Sequence, residues 1–270
     1  MTDIHCHLLP DVDDGAQDWD ACLEMARVAA ADGIKTIVAT PHWPGDDEGS
    51  SRSERVLNLT AQVQERLEAE GIPLRVLPGH ELVILPGVAE ALESGEALGL
   101  GRSFAAEHPA AGATRYALLE TPYQPLPFFL RDLVFQVQSR AITPVIAHPE
   151  RNPTIQMKPE TLEEYVGIGC LIQVSAGSIL GHFGTTVRRT AHQLLRRGWC
   201  HVIASDAHSP ENRPPLLSGA RDAAARIVGP EAARAAVSDT PAAIVAGRRI
   251  DLVALPQPPR PGLLRRIFGG

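Results

Sequence analysis

The sequence predicts an α/β protein in which a parallel sheet curls into a barrel, and three observations lead there. Short apolar runs alternate with amphipathic stretches of helical spacing, the βαβα order that builds a parallel sheet. The chain has 270 residues, a length at which such a barrel forms one large domain. Six of the seven expected strands deliver a His, Asp or Glu at their C-terminal end. In a parallel barrel those ends meet on one face, where barrel active sites lie.

The expected strands are Thr2–His7, Thr36–Thr40, Arg75–Ile84 (interrupted at Pro78-Gly79), Tyr116–Glu120, Pro144–Ala147, Leu171–Ser175 and His201–Ser205. Each is a short apolar run bounded by turn residues. Between them the spacing predicts helices at Trp19–Asp32, Ser53–Glu70, Pro127–Arg140, Pro159–Gly167, Thr185–Arg197 and Pro214–Val228, then shorter ones at Pro230–Val237 and Pro241–Ala246. Trp19, Cys22, Leu23, Ala26, Ala29 and Ala30 form one apolar stripe, that of an ordinary core-facing helix. Gly95–Ala113 reads as a loop, and Pro44–Ser53 as a polar surface loop. Residues 1–251 are expected to form the barrel. The proline-rich stretch 252–270 reads as a disordered tail ending in a basic and apolar patch, Leu264 to Phe268.

Composition excludes several classes of function. A net charge of -7 with only 4% aromatic residues does not suit a protein that tracks a phosphate backbone and stacks bases. Of 25 basic residues, lysine occurs only at Lys35 and Lys158, so Schiff-base and P-loop chemistry have almost no lysine to use. The cysteines Cys6, Cys22, Cys170 and Cys200 lack C-x-x-C spacing and adjoin apolar runs, which fits reduced, buried thiols. No stretch resembles a signal peptide or is long enough to span a bilayer, so the default compartment is the cytoplasm. A cysteine-dependent phosphatase needs an arginine six positions after its nucleophile; those positions hold Val12, Val28, Ala176 and Asp206.

The polar strand ends carry the chemistry. His5 and His7 stand two apart at the end of the first strand, so both side chains project from one face. Taken by itself an H-x-H is weak, because histidine serves equally as a core or surface residue. His42 follows the second strand, Glu81 the break in the third, and Glu120, His148 and the pair Asp206 and His208 end later strands, with Asp13-Asp14 soon after the first. So many carboxylates and imidazoles on one face would repel or stay unsatisfied unless paired or bound to cations. A mixed N/O set without thiolate suits Mn, Fe or Zn. Cys6, between the two histidines, should point to the opposite face. Arg151 and Arg213 each follow a candidate ligand by a short turn, where a planar guanidinium can hold a phosphoryl group in two hydrogen bonds. Divalent ions beside two arginines form an apparatus for phosphoester hydrolysis.

These motifs together, Asp3-Ile4-His5-Cys6-His7 with Asp13-Asp14-Gly15, Thr40-Pro41-His42, Pro78-Gly79-His80-Glu81, His148-Pro149-Glu150-Arg151 and Ser205-Asp206-Ala207-His208, resemble the polymerase and histidinol phosphatase (PHP) superfamily. The closer resemblance is to the bacterial metal-dependent protein-tyrosine phosphatases of the CpsB/CapC type, encoded with capsule and exopolysaccharide genes. The likeness runs to about Arg213 and includes Gln173–Gly181. It implies a distorted seven-stranded (β/α)7 TIM-like barrel, the PHP fold, holding three divalent ions described as Mn2+. By motif, the first ion would take His5, His7, Glu81 and Asp206; the second Glu120 and His148 with Glu81 bridging; the third Asp14, His42 and His208. Arg151 and Arg213 match the arginines that contact phosphate. The implied substrate is phosphotyrosine on a bacterial tyrosine kinase of polysaccharide synthesis. Alternatives are a small-molecule phosphatase such as histidinol phosphatase, a non-catalytic regulatory partner of the kinase, or an amidohydrolase-like metal hydrolase. The chain departs from the pattern at Trp43, where relatives commonly carry a second histidine, and in the acidic stretch 44–49. Substrate preference is the property those departures touch.

Overall fold

A computed structural model describes residues 1–44, 52–100, 115–252 and 255 of the chain. The acidic stretch after Pro44, most of the 95–113 loop and nearly all of the tail lie outside the described residues.

Among the described residues nine strands form: β1 (Thr2–Cys6), β2 (Thr36–Ala39), β3 (His42–Trp43), β4 (Arg75–Pro78), β5 (Glu81–Val83), β6 (Arg115–Glu120), β7 (Ile142–Ala147), β8 (Leu171–Ser175) and β9 (Val202–Ala204). They pair in parallel as two sheets, of order β1-β2-β4 and β3-β5-β6-β7-β8-β9. The count therefore departs from the expected seven. The third expected strand divides into β4 and β5 at its anticipated break, and β3, just past Thr40-Pro41 from β2, was not among the expected strands; β2 and β4 join one sheet, β3 and β5 the other. Proline lacks the N–H that a continuous ladder needs. At Gly79 a Cβ would stand 2.8 Å from Cγ1 of Val38, so the chain bends where only glycine fits. On the far side, residues after β9 bond back to β1: Asp206 N–H donates to the His5 carbonyl at 2.8 Å and His7 N–H to the Ala207 carbonyl at 2.9 Å.

Helices cover the sheets, among them α1 (Trp19–Ala31), α2 (Arg52–Ala69), α3 (Val88–Ser94) and α4 (Leu130–Ser139). Their apolar stripes pack on the outward faces of the strands in one large cluster that includes Cys6, Cys22, Leu23, Val134 and Ile172. Cys6 lies in this layer, away from the polar strand ends, as alternation requires. A smaller cluster takes Ile4, Val38, Leu77, Leu118, Val145, Leu171 and Val202 from strands of both sheets, so the sheets curl around a shared interior. Three short helices were not anticipated: α3, Pro153–Met157 and Ala176–Leu180. All are seven residues or fewer, too short for a helical period to stand out. Among the described residues no helix is long and apolar enough to cross a membrane.

Candidate metal and phosphate site

Local backbone features deliver the polar side chains to one end of the curled sheets. After β1 the chain folds back so that Ala16 N–H donates to the His7 carbonyl at 3.1 Å. A Cβ on Gly15 would lie 2.2 Å from that oxygen, so this return is open only to glycine, and it brings Asp13 and Asp14 over His7. His148 and Asp206 sit at φ 32° and 53°, the left-handed region that side chains rarely enter. Such strain persists where the surroundings over-determine it, commonly at functional sites. The backbone bond from Asp206 to His5 supplies part of that constraint.

The nine candidate ligands converge. Glu81 is the hub: Oε1 lies 2.7 Å from Nε2 of His148, while Oε2 lies 3.1 Å from Nε2 of His5, 3.2 Å from Nε2 of His7 and 3.3 Å from Nδ1 of His42. Asp14 Oδ1 is 3.4 Å from Nε2 of both His42 and His208. Asp206 Oδ1 is 3.5 Å from Nε2 of His5 and 3.6 Å from Nδ1 of His208. Glu120 Oε2 lies 3.5 Å from Nδ1 of His42. Four ligand groups emerge, His5-His7-Glu81, His5-His148-Asp206, His42-Glu81-Glu120 and His7-Asp14-His42-His208. They overlap more than the three sets the resemblance implies: His42 offers one nitrogen to Asp14 and the other to Glu81 and Glu120, and His148 groups with Asp206 instead of Glu120.

The donor set fits divalent cations. Nδ1 of His5 is 3.0 Å from Gln173 Oε1, and Nδ1 of His7 is 2.7 Å from Asp13 Oδ2. Each Nδ1 donates to its oxygen, so both Nε2 atoms point inward, 3.4 Å apart, where their lone pairs serve an ion once the rings are neutral. Atoms about 2 Å from one ion stand a little over 3 Å from each other, close to the spacing among His5, His7 and Glu81.

Electrostatics agree with that reading. Burial disfavours charge on His7 and His42, but the hydrogen bonds of His7 to Asp13 and Glu81, and of His42 to Asp14 and Glu120, outweigh it. His7 is pushed up to about 9 and His42 to about 11. Hydrogen bonds from His208 and His42 hold Asp14 far below the usual carboxylate range. Burial alone would raise Glu81, yet the imidazoles around it, His5 and His148 foremost, keep it ionised.

The two arginines close one side. Arg151 Nη2 lies 2.6 Å from Asp206 Oδ2, and Arg213 Nη2 lies 2.9 Å from Asp206 Oδ1. Arg151 also donates to the Tyr123 hydroxyl at 3.1 Å. Phe183 lies beneath both guanidiniums, 4.0 Å from Cζ of Arg151 and 5.8 Å from Cζ of Arg213. Gly177 makes room for that ring, since a Cβ there would stand 2.8 Å from Phe183 Cε2. The supporting side chains Gln173, Phe183 and Tyr123 were not singled out from the sequence, and Asp13 was read only as part of the Asp13-Asp14 pair. Gln173 left one signal, an amide inside an otherwise apolar strand. Phe183 left none, because an aromatic residue beside a glycine reads as packing.

The model of the capsular polysaccharide synthesis CpsB/CapC family matches residues 1–246. The chain belongs to this family. It is 38% identical over 215 residues, 79% of each chain, to the tyrosine-protein phosphatase YwqE of Bacillus subtilis. It is 29% identical over 255 residues, 91% of this chain and 98% of the other, to the tyrosine-protein phosphatase CpsB of Streptococcus pneumoniae. In structure it matches a chain from the crystal structures of YwqE and CpsB, described as unique metal-dependent tyrosine phosphatases. That match has a TM-score of 0.83 at 32% identity and covers 97% of this chain and 100% of the other. The strand-end motifs thus resembled the family to which the whole chain belongs.

Proposed function

We propose that this protein is a metal-dependent protein-tyrosine phosphatase, a phosphoric monoester hydrolase without a cysteine nucleophile. The observation that carries the reading is the convergence of four carboxylates and five imidazoles on one cleft beside Arg151 and Arg213, in a CpsB/CapC family chain. We assign His5, His7, Asp14, His42, Glu81, Glu120, His148, Asp206 and His208 to three divalent ions, Mn2+ first, with Fe or Zn as alternatives. Bound there, divalent ions supply an activated water and offset the charge of an in-line displacement at phosphorus. The chain's own groups do the rest. Gln173 and Asp13 fix the ring orientations of His5 and His7. Arg151 and Arg213 bind the phosphoryl oxygens and stabilise their charge as it shifts in the transition state. A phenolate leaves readily, so this site can work without a strong proton donor on the leaving oxygen.

The scaffold we infer is a distorted seven-stranded (β/α) barrel comprising residues 1–251, with β2 and β3 as one bent strand and β4 and β5 as another. The substrate we infer is phosphotyrosine on a bacterial tyrosine kinase that regulates capsular or exopolysaccharide synthesis, encountered in the cytoplasm. The family's link to capsule synthesis and the names of the relatives support this. Parallel kinetics on a phosphotyrosine peptide and on histidinol phosphate test it, with the peptide expected to be strongly preferred; the reverse preference would replace this reading with a small-molecule phosphatase.

A further inference from the structure

Beside the arginine pair lies a cleft of about 150 Å³ with apolar walls from Leu180, Phe183, Pro214 and Leu216 and a polar lining from His182, Ser205, Asp206, Asn212 and Arg213. Its two sides come from separate segments, the one that follows β8 and the one that follows Arg213. The ion-binding side chains need none of these apolar groups. Leu180 and Leu216 are 37% and 40% exposed, so the cleft opens to solvent between two leucines that no core requires. An apolar cavity of about this volume accepts a benzene ring.

Position gives the cleft its meaning. Phe183 lines it and also lies under both guanidiniums, and Arg213 lines it while pairing with Asp206. A phosphoryl group held by Arg151 and Arg213 therefore has the cleft within reach of its ester substituent. For a methyl ester the apolar walls would have little to cover; a phenyl ring would exchange water for Leu180, Leu216 and the edge of the Phe183 shelf. Resting on the phosphatase reading above, we infer that this cleft receives the aromatic ring of the aryl phosphate, and that Leu180 and Leu216 are specificity-determining residues for aryl over small alkyl esters.

Competitive inhibition separates ring binding from chemistry. The full chain reconstituted with Mn2+ would hydrolyse phenyl phosphate in the presence of phenylphosphonate, methylphosphonate or inorganic phosphate. The variants are the double substitution Leu180→Ser with Leu216→Ser and, as a milder change at a half-exposed position, Leu216→Gln. Removing the apolar walls should raise the inhibition constant of phenylphosphonate by about tenfold in the double variant, the loss expected for part of a ring's burial. Leu216→Gln should raise it by a smaller factor, and the constants for methylphosphonate and inorganic phosphate should stay within about twofold. An unchanged phenylphosphonate constant in both variants would overturn the inference while leaving the phosphatase reading intact. So would an equal rise for inorganic phosphate, because the leucines would then be supporting the arginines. Failure of the unsubstituted protein to turn over any aryl phosphate would instead remove the phosphatase reading itself.

Discussion

At the scale of single residues, the candidate site divides into groups proposed to hold ions and groups that hold those groups in place. The first kind was legible in the sequence, because a His, Asp or Glu at the end of a buried strand has few structural reasons to be there. The second kind was hidden: Asp13 was visible only as the neighbour of Asp14, and which of the two reaches His7 depends on the Gly15 return. Asp13→Asn should keep the fold but weaken Mn2+ binding by about 10- to 100-fold, the usual cost of losing a partner that orients a ligand imidazole, as read by metal titration. Gly177→Ala would drive Phe183 out from beneath the guanidiniums. Its kcat/KM on an aryl phosphate should fall by about tenfold or more with melting temperature nearly unchanged, since misplacing a charge-stabilising group costs rate before it costs stability. Arg151→Lys keeps the charge but loses the planar fork and should lower kcat by roughly 10²-fold; near-full activity would remove Arg151 from the phosphoryl site.

Among the elements, strands β6 to β8 were found within two residues of their expected ends because each is a mostly apolar run, the pattern of a strand buried on both faces. The split of two other strands was only half visible, since β3 is two residues long and has no period to read. The β8–β9 pair carries a pH dependence of its own. His201, just before β9, is buried, and its Nδ1 accepts the Ile172 N–H at 2.8 Å. Burial holds it down to about 4, from an ordinary 6.5. Because the folded value is depressed, the neutral ring's contribution is complete above about pH 6.5 and is lost as pH falls toward 4, when the unfolded chain takes the proton first. The loss should approach about 3 kcal/mol across that window. His201→Asn, whose Oδ1 can accept the same N–H, should flatten that part of the profile in denaturant titrations at pH 7, 5.5 and 4.5. An identical slope in both proteins would exclude His201 as the cause.

For the whole molecule, ion binding, protonation and folding are linked. With His7 near 9 and His42 near 11, both rings carry protons at pH 7 before an ion arrives, and ligation requires them neutral. Mn2+ binding at pH 7 should therefore release protons, and apparent affinity should rise with pH through about 9 and on toward 11; calorimetry in buffers of different ionisation enthalpy measures the release, and none would contradict the assignment. Chelation should abolish aryl-phosphate turnover and lower the melting temperature, and Mn2+ should restore both. The meeting of β1 with the residues after β9 has a further consequence. His5 and Asp206 are 201 positions apart in the chain, yet their backbones are hydrogen bonded and their side chains lie 3.5 Å apart in the candidate site. A chain leaving the ribosome cannot complete the centre until residue 208 has emerged, long after β1 has been made. Contacts of such separation form late and slowly. Manganese uptake during refolding should accordingly appear in the slowest phase, after the helices have gained their circular dichroism, which would make the ion a reporter of a finished fold.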